Sequence, residues 1–193
     1  MSEEFRTAQP PGRQPASDPG LLHYFAYGSN MLEARLLERI PTARRLHVGR
    51  LCGYRLLFDK RGSKDGSGKC HVESTGVSAD QVWGVVYALR QRDRAVLDEV
   101  EGVGHGYEVT TKTIELRDGT EVEAFLYIAD PDYVDPGLKP FDWYVELVLA
   151  GARENGLPTD YIRAITGIAS NHDGQTERAI RALRLVNPSL EAY

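Results

Sequence analysis

Tyr24-Phe-Ala-Tyr-Gly-Ser-Asn-Met31 is the stretch on which the reading of this chain turns. An apolar strand over Leu21–Ala26 runs into Tyr27 and stops. Gly28, Ser29 and Asn30 then make a tight turn, and Met31 opens a helical segment, Met31–Ile40. Its Met31, Leu32, Ala34, Leu36, Leu37 and Ile40 form an apolar stripe at helical spacing, and Pro41 ends it. Gly28 lets the backbone approach a ligand closely or take positive φ. Asn30, or Ser29, can cap the helix. The first N–H groups of a helix lack internal partners and carry partial positive charge, so a strand–turn–helix of this kind can seat a small carboxylate or a developing oxyanion. Taken alone, the turn is better explained as a capped junction with no ligand.

Outward from the turn, Leu46–Phe58 reads as extended with a break near Gly53, and Arg61–Lys69 as a Gly/Ser/Lys loop. Val82–Leu89 has the β-branched and aromatic content of a strand. Asp93 caps a short helix reaching about Val100. Tyr107–Leu116 and Glu121–Ile128 are strands joined at Asp118-Gly119, a hairpin signal. Pro131–Pro140 is a loop, and Phe141–Asn155 a helix ended by Gly156. Pro158 opens a further helix to about Ile168, and Thr176–Leu185 is a last short one. Strands come first and helices gather at the end. That order predicts an α+β fold with a mixed or antiparallel sheet and packed helices, not a doubly wound parallel sheet.

At 193 residues the chain is long enough for one domain with a sizeable core. Its net charge of −5 argues against a general nucleic-acid binder. No apolar run approaches the roughly 20 residues of a membrane-spanning helix. Residues 1–20, rich in Pro, Gly, Ser and charge, read as a disordered tail with no secretory core. Cys52 and Cys70 form no close-spaced metal or redox pair, and a cytoplasmic location is the default.

Among 28 acidic residues, Glu101 is singled out by its helix position. Val96, Leu97 and Val100 read as an apolar face, with Glu101 at its edge beside Leu97, while Asp98 and Glu99 point further towards solvent. A carboxylate beside an apolar stripe is partly desolvated, an environment suited to proton transfer. The plain alternative is a helix-end carboxylate with its head group in water. Gly102, Gly104 and Gly106 then permit a close-approaching loop, without the spacing or preceding strand of a dinucleotide fingerprint.

Other candidate motifs fail on their own terms. Ser63–Cys70 approaches a P-loop, but Ser63 stands for the first glycine and Cys70 for the magnesium-binding hydroxyl. His71-Val-Glu73 lacks the cysteine half of a zinc deaminase site. His23, His47, His71, His105 and His172 show no metal-ligand spacing, so no metal site is expected. Ser29 has no serine-hydrolase context. Arg44-Arg45 and Arg178–Arg184 read as solvated faces.

The turn Tyr27-Gly-Ser-Asn30 and the segment Leu97-Asp-Glu-Val-Glu-Gly-Val-Gly-His-Gly-Tyr107 together resemble the gamma-glutamylcyclotransferase family (AIG2-like). Asp80-Gln-Val-Trp-Gly-Val-Val-Tyr87 is similar to the family's central strand. Gly151-Ala-Arg-Glu-Asn-Gly-Leu-Pro158, followed by Tyr161, is similar to its late helix–turn–helix. The resemblance covers roughly Leu21 to Ile168. It suggests a domain over residues 21–170 and a helical extension over 171–193, whereas the loop Arg61–Ser78 departs from the pattern.

The resemblance implies a compact β-barrel-like sheet flanked by helices, with an open cavity at the turn. It implies an enzyme that converts a small gamma-glutamyl substrate, an amino acid or amine derivative, to 5-oxoproline and the free amine. Glu101 would be the catalytic acid and base, and Tyr27, Gly28, Ser29, Asn30, Tyr107, Tyr127 and Tyr144 would bind substrate. No metal or organic cofactor is implied, nor a nucleic-acid or membrane partner; some relatives suggest a homodimer. Tyr27–Asn30 looks like the branch acting on gamma-glutamyl amino acids or amines and not the glutathione-degrading branch. Some relatives remove gamma-glutamyl protecting groups from natural products. Two other readings compete: a non-catalytic small-molecule-binding or regulatory protein of the same fold, and an interaction module using Trp83 and Trp143. The last predicts an exposed apolar patch and no polar cavity.

Overall fold

The computed structural model describes residues 20–190; the expected N-terminal tail before Gly20 and the last three residues lie outside the described residues. Along this span run β1 (Leu21–Ala26), α1 (Glu33–Arg39), β2 (Arg44–Cys52), β3 (Tyr54–Arg61), β4 (Gly68–Ser74), β5 (Gln81–Arg90), α2 (Arg94–Glu101), β6 (Tyr107–Leu116), β7 (Glu121–Ala129), α3 (Asp142–Glu154), α4 (Thr159–Thr166) and α5 (Thr176–Leu183). Five strands close a barrel in the order β1-β5-β2-β6-β7, while β3 and β4 form a separate two-stranded sheet. Every barrel neighbour is antiparallel except β1 and β7, whose parallel pairing at Tyr24 and Phe125 closes the ring. The α+β, barrel-like expectation therefore holds.

The central strand is β5. It pairs along β1 and β2, and Val82, Val85, Val86, Tyr87, Ala88 and Leu89 are all buried. A strand covered on both faces reads as a continuous apolar run, which is why Val82–Leu89 was legible. The second cover is α3, buried through Trp143, Tyr144, Val145, Leu147, Val148, Leu149, Gly151 and Ala152. Helix α3 packs against the turn after β1 at Gly151, where a Cβ would lie 2.4 Å from the backbone nitrogen of Leu32. Asn155, just past the helix, donates from Nδ2 to the carbonyls of Met31 (3.0 Å) and Gly151 (2.8 Å). The turn is thus held from below by both packing and hydrogen bonds.

Several expectations are corrected. The expected loop Arg61–Lys69 closes early, and β4 pairs with β3 from Arg61↔Gly68 to Tyr54↔Ser74. Three consecutive residues of β4 (Cys70, His71 and Val72) are buried, so no alternation marked it as a strand. The expected helix from Met31 begins instead as a 3₁₀ turn, Ser29–Met31, with α1 starting only at Glu33. Asp93 does not cap α2: a 3₁₀ turn over Gln91–Asp93 puts it in helical geometry, and its carboxylate accepts from the Thr42 hydroxyl. Arg178, expected on a solvated face, makes two 2.7 Å hydrogen bonds to the buried Asp173. Trp143 Nε1 donates to the same carboxylate, so residues after Asn171 pack back on α3.

Candidate active site

At one end of the barrel, Tyr24, Tyr27, Gly28, Ser29, Asn30, Cys70, Glu101, Tyr107, Tyr127 and Tyr144 line a cavity of about 30 Å³. All eight residues singled out from the sequence are in this set. Strand β1 carries Tyr24 and leads directly into Tyr27, α2 ends at Glu101, β6 begins at Tyr107, β7 carries Tyr127 and α3 carries Tyr144. The turn is shaped by close approach and not by positive φ. Gly28 has φ −113°, and a Cβ on it would sit 3.1 Å from that of Cys70.

Neither Ser29 nor Asn30 caps a helix. The Asn30 amide instead donates from Nδ2 to Glu101 Oε1 at 2.9 Å and to the Tyr24 hydroxyl at 3.0 Å. Arg39 Nη1 donates to Asn30 Oδ1 at 2.8 Å and to Glu101 Oε1 at 2.6 Å. Asn30, Arg39 and Glu101 thus form a closed triangle, and both donors meet on one carboxylate oxygen. The other oxygen, Oε2, accepts no hydrogen bond among the described residues. The N–H groups of Gly28, Ser29 and Asn30 likewise donate to no acceptor among them. The cavity wall therefore offers a held carboxylate with one free oxygen beside a set of free N–H donors.

The face that α2 turns inward is not the expected one. Leu97 is buried, but Val96 and Val100 are 47 % and 41 % exposed. The inward stripe runs Arg94, Leu97, Asp98 and Glu101, at i, i+3, i+4 and i+7. Polar partners waiting at the barrel end explain this. Tyr127 donates to Asp98 Oδ1 at 2.7 Å, where Arg94 also donates at 2.7 Å, and Glu101 meets Asn30 and Arg39. Gly102, at φ +74°, lets the chain leave the helix directly after Glu101.

The tyrosines serve mostly to build the wall. Tyr27 donates to the Tyr127 carbonyl, Tyr107 to the Cys70 carbonyl at 2.5 Å, and Tyr144 accepts from the Cys70 N–H at 3.1 Å. None of these three, nor Tyr127, hydrogen-bonds to Glu101. Burial pushes the phenols of Tyr24, Tyr27, Tyr107, Tyr127 and Tyr144 well above their ordinary range, and the Glu101 charge adds to the rise at Tyr24. They remain neutral hydrogen-bonding groups of the cavity wall. Burial also pushes the Cys70 thiol up to about 12, so it is an inert packing group. Removing the Tyr127 hydroxyl (Tyr127→Phe) is expected to destabilise the fold by about 1–2 kcal/mol in a denaturant titration, since Asp98 loses one of two donors.

Sequence reading missed Tyr24, Cys70, Asp98 and Arg39. Arg39 carried a usable signal, since it lies in the helical segment that follows directly on Asn30. The interaction-module reading finds no support: Trp143 is buried, Trp83 packs under Arg50, and the exposed large apolar residues are Val77, Val96, Val100 and Leu190 among those described. No group of three or more His, Cys, Asp or Glu side chains among the described residues is arranged to hold a metal ion. No helix among them is long and apolar enough to cross a membrane.

Comparison with known proteins follows the same line. Residues 81–165 match the AIG2-like family. The gamma-glutamylcyclotransferase of Homo sapiens is 34 % identical over 154 residues, covering 77 % of this chain and 79 % of the human protein. That of Bos taurus is 34 % identical over 155 residues, with the same coverage. A solved gamma-glutamyl cyclotransferase structure superposes with a TM-score of 0.73 at 29 % identity, covering 83 % of this chain and 98 % of its own.

Proposed function

This chain belongs to the gamma-glutamylcyclotransferase family, and from that premise we propose that it cyclises gamma-glutamyl amino acids or amines to 5-oxoproline with release of the amine, Glu101 moving the protons. In this reading residues 21–170 are the catalytic unit and 171–193 a helical extension. The observation that carries the proposal is the free Oε2 of Glu101, on a carboxylate whose other oxygen is fixed by Asn30 and Arg39 in the wall of the cavity.

The substrate's α-amine is an ammonium at neutral pH and cannot attack until it loses a proton. Oε2 accepts that proton. The amine nitrogen then bonds to the gamma-carbonyl carbon, and the carbonyl oxygen takes up negative charge. The free N–H groups of Gly28, Ser29 and Asn30 suit the substrate's α-carboxylate and this oxygen. Collapse of the intermediate breaks the bond to the leaving nitrogen. Over the cycle the α-ammonium loses two protons and becomes the lactam N–H, while the leaving nitrogen gains two and departs as an ammonium. One carboxylate, alternately base and acid, balances both transfers. Because attack is intramolecular, the site's task is to hold the substrate folded.

The test is release of 5-oxoproline from a panel of gamma-glutamyl dipeptides, gamma-glutamyl amines and glutathione. N-acetylating the α-amine of an accepted substrate is expected to stop turnover, because the nucleophile is gone. Amine release from an N-acetylated substrate would show that water attacks, and the chain would then be an amidase.

A further inference from the structure

Four cations stand around the cavity, and two have no carboxylate partner among the described residues. Arg39 pairs with Glu101 and Lys69 with Asp65 at 2.9 Å. Arg35 donates from Nε to the Ser29 hydroxyl at 3.0 Å and forms no ion pair. Lys60 is only 3 % exposed, yet its ammonium has neither a carboxylate nor a hydrogen-bond acceptor among the described residues. It stands over the ring of the cavity residue Tyr107, 4.1 Å from the centroid. The chain makes room for it: a Cβ at Gly106 would lie 2.8 Å from Lys60 Nζ. Burial lowers its proton affinity, and Glu101, whose charge reaches it, works the other way. A largely desolvated ammonium without a counter-charge is costly, and a ring face offsets only a small part of that.

The two uncompensated cations sit on different walls. Arg35 stands at the turn, through Ser29. Lys60 comes from β3 and stands at Tyr107, opposite Lys69 in the β3–β4 register. A gamma-glutamyl amine brings one carboxylate to such a site, whereas a gamma-glutamyl amino acid brings two. The geometry points to Lys60 as the residue that selects the leaving group, by binding a carboxylate carried on the amine that departs. This rests on the cyclotransferase reading and adds to it a residue that reads the leaving side of the substrate. It also gives the β3–β4 hairpin a role, as the acceptor-side wall.

The test compares gamma-glutamyl-alanine with gamma-glutamyl-ethylamide, which differ only by the leaving-side carboxylate. The wild-type protein is expected to prefer the alanyl substrate. Lys60→Met, close to isosteric but uncharged, is expected to cut that preference roughly 10- to 100-fold, the worth of one charge-assisted hydrogen bond, through KM on the alanyl substrate. An equal fall on both substrates, or none on the alanyl one, overturns the assignment. Calorimetry separates this from the underlying reaction: gamma-glutamyl-alanine is titrated into Glu101→Gln with and without Lys60→Met. If wild type turns over neither substrate but Lys60→Met still weakens binding tenfold or more, the carboxylate site stands and the cyclotransferase reading falls. Absent or equal binding in the two proteins removes the inference.

Discussion

Glu101→Gln is expected to lower 5-oxoproline formation roughly 10²- to 10⁴-fold, the usual contribution of a general acid–base group, while the protein stays folded. Glutamine preserves the shape of the side chain. Its carbonyl oxygen can still receive Asn30 Nδ2 and Arg39 Nη1, the two donors now on Oε1. What changes is the free position: an NH₂ replaces Oε2, a donor where the reaction needs an acceptor. The check is a rate measurement paired with a thermal melt. Wild-type turnover in a folded Glu101→Gln protein would end the assignment of Glu101.

The second large effect lies outside the cavity. Gly151→Ala places a methyl group 2.4 Å from the Leu32 nitrogen, 2.7 Å from the Met31 carbonyl carbon and 2.8 Å from the Met31 Cβ. On helix propensity alone the change should stabilise α3 by about 1 kcal/mol. The atoms it meets are mostly backbone, belonging to the 3₁₀ turn and its exit, and cannot swing aside. Overpacking of this kind costs about 1–3 kcal/mol and occasionally more, so the net sign is destabilising. For a chain of this size each kcal/mol lowers Tm by roughly 2–4 °C. Relief by moving the turn displaces Asn30, which holds Glu101, and a shift of about 1 Å can cost roughly 10²-fold in rate. A Gly151→Ala protein with unchanged or raised Tm and full activity would show that α3 does not set the position of the turn.

What the sequence made legible was local. The Asp118-Gly119 turn with its flanking β-formers placed β6 and β7, and the burial of most of β5 made an apolar run that reads as a strand. Eight of the ten cavity residues were reachable because two short motifs carry most of them. The remainder depended on partners far along the chain. Strand β4 hides three buried residues in a row. The inward face of α2 was misjudged because valines look like core until Tyr127, Asn30 and Arg39 are seen supplying partners to Asp98 and Glu101. Asn30 looked like a helix cap because its nearest sequence neighbours suggested one, while its contact to Glu101 spans 71 positions.

That span bears on when the site can exist. The turn comes early among the described residues, yet Tyr27 donates to a carbonyl 100 residues later and Met31 receives a hydrogen bond from 124 residues later. The barrel itself shuts only when β7 reaches β1. Contacts of such separation form late, because the loop must close before they contribute. During synthesis, at about 5–20 residues per second, β1 waits with an unpaired edge until most of the chain has been made. Nascent chains and forms truncated before β7 therefore lack the site altogether, and an early-exposed β1 edge is where their aggregation would begin.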